Sequence, residues 1–166
     1  RYDHLEVLRD LIEQGAEIDI RLNDGATPLI IAVGEQHSGV VSFLIEKGAD
    51  PNARNFEGTS AILLAALTGR ADMMRALIAG GADPETQNAF KEPLLFLTVE
   101  RGFVDAVQVL LESGISVESR SPRGWTPLMR AAKYGRTSVA KALIANGANV
   151  NAVGRVCLYQ ERRCTC

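Results

Sequence analysis

The chain has 166 residues, of which 46% are apolar and 23% are charged, so it can bury one sizeable core and its composition excludes a disordered chain. Its 18 basic and 20 acidic side chains nearly balance, so polyanions gain no general attraction and nucleic acid is not expected as a partner. The longest apolar run, residues 61–67, is far shorter than the roughly 18 residues of a membrane span, so no transmembrane segment is predicted.

The two ends of the chain bear on its origin and compartment. The first residue is Arg1 instead of Met, which suggests processing or excision from a longer protein. No charged-then-apolar leader opens the chain, so we expect no secretory signal. The three cysteines all lie within residues 157–166, so the body of the chain has no disulfide, as is typical of a reducing compartment. The sequence therefore favours an intracellular location, cytoplasmic or nuclear.

An internal repeat of 33 residues runs without a gap from about residue 3 to residue 152. It aligns one glycine and one leucine from each of five copies. With glycine at about 7% of average usage, five such matches arise by chance on the order of once in a million. The aligned residues are Gly15, Gly48, Gly81, Gly114 and Gly147, and Leu11, Leu44, Leu77, Leu110 and Leu143.

Taken in chain order, each repeat predicts a first helix, a turn, a second helix and an extended loop. Thr27-Pro28 and Thr126-Pro127 each place a hydroxyl cap before a proline, which is typical of a helix start. The second helix has apolar residues at helical spacing and ends at the repeated glycine. The predicted units are a partial repeat at 1–20, complete repeats at 21–53, 54–86, 87–119 and 120–152, and a divergent tail at 153–166 whose order the pattern leaves open.

The fourth repeat departs most from this pattern. Pro93 stands where other repeats have a hydroxyl cap, so we expect its first helix to start one residue early, with Glu92 as the cap. Ile115 also interrupts its Gly-Ala-Asp turn, and we therefore expect this repeat to be the weakest or most distorted. The third repeat keeps a hydroxyl at the cap, Ser60. The first repeat lacks its first helix.

The segments "GATPLIIAV", "GADPNA" and "GWTPLMRAAKYGRTSVAKALIANGANVNA" resemble the ankyrin repeat, and the resemblance covers about nine-tenths of the chain. It implies an all-α ankyrin-type solenoid of helix-turn-helix repeats, with β-hairpin or loop fingers between them. It also implies partner binding on a concave face formed by finger tips and first helices. The sequence departs from the family where a histidine usually follows Thr-Pro-Leu, because that column reads Ile30, Leu63, Phe96 and Met129.

No catalytic constellation, phosphate-binding loop or nucleophile elbow occurs, so we expect no enzyme activity, no cofactor and no small-molecule substrate. His4 and His37 lie one repeat apart and are interpreted as structural. Zinc binding by Cys157, Cys164 and Cys166 lacks a nearby fourth ligand, so we interpret them as free thiols and predict no metal site. S-acylation beside the arginines of the tail is an alternative.

Charge is distributed unevenly along the chain. Residues 1–83 carry 7 basic and 13 acidic side chains, a balance of -6, whereas residues 84–166 carry 11 basic and 7 acidic side chains, a balance of +4. After Glu118, nine cations including Arg130 and Arg136 face only one acidic residue. Two interpretations stay open: a solvated face, or a basic end that steers an acidic partner.

The resemblance places a set of variable positions at finger tips and at the ends of first helices, where we expect a partner to bind. Phe56, Phe90, Trp125 and Tyr134 are candidate anchors, because aromatic residues dominate interface energy. The alternative is that each ring packs on the next finger, which we expect more for Trp125 than for Phe90. The candidate partner-binding residues are Asp24, Phe56, Glu57, Leu67, Phe90, Glu100, Arg101, Arg123, Trp125, Lys133 and Tyr134.

The sequence therefore predicts a protein-protein interaction module, a scaffold or adaptor that binds another protein or another part of a longer chain. A regulatory segment of a larger enzyme or channel is the alternative. Binding of RNA or anionic lipid by the basic C-terminal end is a third interpretation. Asn52 and Asn151 follow glycine turns, where asparagine can bond its own backbone; the resemblance also allows Asn151 to be a hydroxylation acceptor.

Overall fold

The computed structural model describes residues 3–154, with side chains described for residue 6 and from residue 9 onward. This part of the chain contains nine helices in two rows, which we call first and second helices. The first helices are α2 (Pro28–Gly34), α4 (Ala61–Thr68), α6 (Leu94–Arg101) and α8 (Pro127–Lys133). The second helices are α1 (Asp3–Glu13), α3 (Ser38–Glu46), α5 (Ala71–Ala79), α7 (Val104–Glu112) and α9 (Thr137–Ala145).

The first helices begin where the hydroxyl-proline pattern predicts. The Thr27 hydroxyl accepts from the Ile30 N–H at 3.5 Å, and the Thr126 hydroxyl accepts from the Met129 N–H at 3.3 Å. Each proline follows in the first helical turn, where its missing N–H costs nothing. Ser60 occupies the same position before α4, but its hydroxyl makes no capping bond and is buried without a partner. The third repeat therefore keeps the residue type without the capping interaction.

The prediction of an early start for α6 is wrong. The helix begins at Leu94, in register with the other first helices, and Pro93 is its N-cap. Pro93 has φ −66°, which its ring fixes, and ψ 153°, so it has the extended backbone of a cap position without a hydroxyl. Glu92 is not a cap but bonds to Arg130. The helices α6 and α7 have 8 and 9 residues, as α4 and α5 do, so these helices are not shortened as distortion would imply. That this repeat is the weakest stays a prediction.

The repeated glycines end the second helices as predicted. A repeated glycine directly follows the C-cap residue of each second helix from α3 to α9. The φ angles of these glycines lie between 88° and 97°, at Gly48, Gly81, Gly114 and Gly147. A Cβ at any of these four would meet nothing within 4 Å, so the backbone conformation and not the available space selects glycine. The chain then reverses, and the Ala49 N–H bonds back to the Leu44 carbonyl at 2.9 Å.

Stacking of neighbouring repeats buries the apolar faces, as the repeat pattern predicts. Each first helix packs on the next first helix and on the second helix of its own repeat, and each second helix from α3 onward packs on the next second helix. The core lies between the two rows. Its fully buried side chains include four of the five repeated leucines, Leu44, Leu77, Leu110 and Leu143, and Phe96, the largest of them, whereas Leu11 of the partial repeat is 50% exposed. The result is the expected array of helix pairs, all-α in the described residues.

The fingers are loops held by few backbone bonds. Two of them contain one antiparallel bridge each, Arg54 with Ser60 and Gln87 with Pro93, and the described residues form no sheet. Arginine links successive fingers, because Arg21 donates to the carbonyls of Gly25 and Arg54 at 3.1 and 2.8 Å. The fingers are therefore hairpin-like loops, and their spacing is fixed by side-chain bonds between repeats.

Candidate functional site

By the register of the repeat, the candidate partner-binding residues other than Trp125 lie at finger tips or at the ends of first helices, and we call these two sets of positions the finger-helix face. Because the repeat is regular, each finger presents equivalent tip positions and each first helix presents equivalent end positions. The tips are residues 23–24, 56–57, 89–90 and 122–123, and the helix ends are residues 34–35, 67–68, 100–101 and 133–134.

Polar residues in the fingers position the tips. The Asn55 Oδ1 accepts from the Glu57 N–H at 3.1 Å, and the Asn88 Oδ1 accepts from the Phe90 N–H at 2.9 Å. These bonds turn the backbone so that the tip side chains leave the finger. Neither asparagine was identified from the sequence, although asparagine is one of the residue types that favour turns and loops.

Two phenylalanines dominate the surface of the tips. The side chains of Phe56 and Phe90 lie on adjacent fingers and are 77% and 84% exposed. Phe56 also touches the preceding finger: a Cβ on Gly25 would lie 2.7 Å from its ring, and its N–H donates to the Asp24 carbonyl at 2.9 Å. Phe56 therefore packs with one edge and leaves most of its ring in solvent. Phe90 is the most exposed large apolar side chain of the described residues.

Arg130 is buried in an ion-pair cluster and is not part of the exposed basic end. It is 8% exposed, and its Nη2 donates to both carboxylate oxygens of Glu92 at 3.0 Å while its Nη1 donates to Glu100 at 2.9 Å. Its guanidinium lies 5.5 Å from the centre of the Phe96 ring. The cluster joins the first helix of the fifth repeat to the fourth repeat.

The sequence carried a signal for this cluster. The equivalent positions in the other complete repeats are Ile31, Leu64 and Leu97, so an arginine in that column must either reach solvent or find buried partners. Both interpretations of the basic C-terminal end, a solvated face and an end that steers an acidic partner, require exposed cations, and for the buried Arg130 both are wrong. Its charge is neutralised inside the array.

Glu100 and Tyr134 are coupled to the same cluster. A hydrogen bond from the Tyr134 hydroxyl to Glu100, together with partial desolvation and the charge of that carboxylate, raises the pKa of Tyr134 above its ordinary value. Tyr134 remains 37% exposed, so one part of its ring can still touch a partner. Glu100 is half-buried, and its carboxylate accepts hydrogen bonds from Arg130 and Tyr134. These internal bonds hold the Glu100 carboxylate in place at the end of α6, and its role as a partner contact stays a prediction.

Lys133 covers two aromatic rings at the C-terminal end of the face. Its ammonium lies 4.8 Å from the centre of the Trp125 ring and 5.3 Å from that of Tyr134. Trp125 is half-buried under this lysine, which belongs to its own repeat and not to the next finger. The expectation that Trp125 packs on the next finger stays a prediction, because residues 155–166, which follow this repeat, lie outside the described residues.

Arginines from one repeat bind the end of the first helix in the preceding repeat. Arg101 donates to the Leu67 carbonyl at 2.9 Å, and Arg136 donates through Nε to the Glu100 carbonyl at 2.8 Å. Leu67 itself is half-buried against the core. Arg70 makes the equivalent contact through the Gln36 side chain at 2.7 Å. These bonds fix the helix ends, and sequence reasoning missed them because the partners lie one repeat away.

Some further predictions concern residues away from the face. Asn52 does not bond only within its own turn, because its side chain donates to the Gly81 carbonyl and accepts from the Asp83 N–H, both at 2.9 Å. The Asn151 N–H donates to the Asn149 side chain at 2.9 Å, within a turn. The three cysteines, the His4 side chain and residues 155–166 of the tail lie outside what the structure describes.

Neither a metal site nor a membrane span is found where the structure describes the chain. Between residues 3 and 154 it brings together no group of three or more potential metal-binding side chains. In the same range, no helix has the length and apolar character needed to cross a membrane. An apolar depression between α2, α3 and the loop before α2 is lined by Ile20, Leu22, Ile31 and Val40 among others.

Comparisons with known proteins identify the same architecture. A family model described as ankyrin repeats, three copies, matches residues 1–88 and 62–153. The crystal structure of the human ASB11 ankyrin repeat domain superposes with a TM-score of 0.76 and 26% sequence identity, covering 89% of this chain and 66% of that chain. This chain thus spans just under two thirds of that domain. None of the curated proteins matches it.

The family and the fold predicted from the sequence are confirmed by these matches. Ankyrin repeat domains are generally protein-protein interaction modules and are typically not catalytic. The helix pairs, the glycine-terminated second helices and the fingers are all accounted for by this architecture. The chain belongs to the ankyrin repeat family.

Proposed function

We propose that the chain is a scaffold or adaptor module that binds a partner protein through the finger-helix face, with Phe56 and Phe90 as its main anchors. The observation that carries the proposal is the exposure of two large rings on adjacent fingers, at 77% and 84%. Aromatic residues are enriched among the few residues that supply most of the binding energy of an interface. A partner that covers these rings removes apolar area from water.

The surroundings of the two rings fit the rim of an interface. Exposed charges flank them on the tips and helix ends, including Glu57, Arg101 and Arg123. Polar and charged residues around a central apolar patch are the usual anatomy of a protein-protein interface. Tyr134 and Lys133 extend the face toward the C-terminal end, Trp125 supports Lys133, and Asp24 marks the opposite edge.

Burial of Arg130 makes nucleic acid or anionic lipid less suited to this chain. Of the cations after Glu118, Arg130 is neutralised by two carboxylates, and Arg120 and Arg136 donate to backbone carbonyls of the array. The remaining described basic surface is therefore smaller than the sequence predicts. Binding that relies on apolar rings loses little affinity with salt, whereas binding to a polyanion weakens steeply.

The proposal is tested by comparing single-residue variants in capture of protein from lysate, at low and at raised salt. We expect Phe90→Ala to lose the captured partner, because truncating a true anchor costs about 2 kcal/mol or more, some thirtyfold in affinity. Phe56→Ala should lose it to a smaller degree, since its ring also packs on Gly25. Ile144→Ala is the matched control, an exposed apolar residue on the second helix α9. Unchanged capture by both phenylalanine variants would contradict the proposal.

A further inference from the structure

We propose that the finger-helix face selects a peptide segment whose charges are ordered along the array. Its basic residues would lie over the second and third repeats, its apolar residues over the centre, and its acidic residues over the fourth and fifth repeats. This inference rests on the proposed function and adds to it the chemistry of the partner and its direction on the face.

The row of finger tips carries the first half of the argument. Along the array, exposed charges lie at or beside successive tips: Asp24 and Glu57 at the first two tips, Lys91 directly after the third tip, and Arg123 at the fourth. The exposed rings of Phe56 and Phe90 lie in the middle of the same row. The row therefore runs from acidic through aromatic to basic.

The ends of the first helices repeat this order independently. Glu35 is exposed at the end of α2, and the half-buried Leu67 follows at the end of α4. Arg101 at the end of α6 and Lys133 after it, at the end of α8, are both exposed. Two rows formed by different elements thus place negative charge at the same end and positive charge at the other.

The exposed charges of the two rows keep their net charge, although Arg101 also donates to the Leu67 carbonyl and Lys133 lies over two rings. Among the described residues, the ion pairs are Arg70 with Asp72, Arg75 with Glu112, and Arg130 with Glu92 and Glu100. The seven charged residues of the two rows are in none of them. By contrast, the charges deeper in the face, Glu92, Glu100 and Arg130, are paired with one another. The charge order is thus carried by side chains that the fold does not neutralise.

Charge order of this kind gives direction more than affinity. Groups of like charge at each end raise the local potential, and a segment laid the wrong way brings like charges together. A uniform polyanion would gain at the basic end and be repelled at the acidic end. Of these ligands, only a segment with opposite charges at its two ends is attracted at both ends of the face.

The test uses two synthetic peptides of 12 residues with equal composition and equal net charge. One has four lysines, four apolar residues including phenylalanine, and four glutamates in blocks; the other has the same apolar centre with lysine and glutamate alternating on each side. We expect the block peptide to bind about tenfold more tightly at low salt, because several exposed pairs each contribute a small amount. The difference should shrink as salt rises.

The direction in which the block peptide lies on the face is measured with a nitroxide label on its lysine end. The label should broaden the NMR amide signals of the second and third repeats. The broadening should move to the fourth and fifth repeats in a fourfold variant that reverses the charges, Asp24→Lys, Glu57→Lys, Lys91→Glu and Arg123→Glu. A variant with Asp105→Lys and Lys141→Glu, both exposed on second helices, is the matched control and should leave it unchanged.

The outcomes separate this inference from the proposed function. Equal affinity of the two peptides, no binding of either, or broadening that ignores the fourfold variant overturns the charge order. The proposed function survives each of these results, because it depends on loss of the captured protein in the Phe90→Ala variant.

Discussion

Arg130 donates from its Nη2 to both carboxylate oxygens of Glu92 at 3.0 Å, across a separation of 38 residues, and thereby links the fifth repeat to the fourth. The pair is largely shielded from solvent: the side chain of Arg130 is 10% exposed and that of Glu92 is 19% exposed. Such a pair is not by itself a source of stability, since desolvation offsets much of the attraction. Removing only one residue of the pair is destabilising, because the remaining charge is then shielded from solvent and unpaired.

The first prediction is therefore that Arg130→Ala lowers the free energy of unfolding by about 2–4 kcal/mol, measured by urea denaturation. The matched control is Arg75→Ala, which breaks the exposed pair with Glu112 and should cost less than about 1 kcal/mol. Equal effects of the two variants would show that the burial of the cluster has no energetic consequence. Replacing Arg130 and both carboxylates together by apolar residues should restore much of the loss.

Lys91 offers a prediction about backbone strain. It has φ 61° at the position where the other described fingers have Gly25, Gly58 and Gly124, all with positive φ. A left-handed backbone conformation destabilises a residue other than glycine by about 1–2 kcal/mol. Glycine avoids this strain but loses more conformational entropy on folding, which offsets part of the gain. Lys91→Gly should therefore raise the free energy of unfolding by up to about 1 kcal/mol. Gly58→Lys should lower it by a similar amount; a stabilising Gly58→Lys would refute the argument.

The glycines that follow the first helices provide a prediction about space. A Cβ on Gly69 would lie 2.8 Å from the Phe103 ring, whereas a Cβ on Gly135 would meet nothing within 4 Å, and both residues have positive φ. Gly69→Ala and Gly135→Ala share the conformational cost, but only Gly69→Ala must also displace a ring. We expect it to be the more destabilising by about 1 kcal/mol. In a Phe103→Ala background this difference should disappear.

Tyr134 provides a prediction for pH. Because the Glu100 carboxylate accepts its hydrogen bond, the pKa of Tyr134 in the folded state lies above its ordinary value. The stabilisation from this bond is fully present at neutral pH and is lost as pH rises through the raised pKa. Absorbance titration in a Tyr2→Phe, Tyr159→Phe background should show late ionisation, and Glu100→Gln should lower that pKa. An unchanged titration in Glu100→Gln would contradict the assignment.

The regular part of the fold could be predicted from the sequence because its causes are local. A threonine-proline pair starts a first helix, and a glycine with positive φ ends a second helix, whatever the neighbouring repeats contain. The start of α6 was mispredicted because a missing hydroxyl was taken to move the helix. Pro93 has the extended backbone of a cap position without a hydroxyl, so no shift was needed.

The sequence predicts where the tips and helix ends of the finger-helix face lie, but it predicts only some of the contacts that their side chains make. The tips lie where the repeat places them, and the exposure of Phe90 follows from its place at a tip. The burial of Arg130 and the engagement of Glu100 depend on partners 30 and 38 residues away in sequence, so they appear only once the repeats are stacked. A polar residue in an otherwise apolar column is the sequence signal that would have found them.

The central claim is that a partner protein contacts the tip of the third complete finger, at Phe90. The most direct measurement is photo-crosslinking with p-benzoylphenylalanine replacing Phe90, compared with the same group replacing Ile144 on α9, followed by identification of the adduct. The account predicts that the group at position 90 crosslinks the protein that the unmodified chain captures, while the group at position 144 does not. Crosslinking from position 144 alone would contradict it.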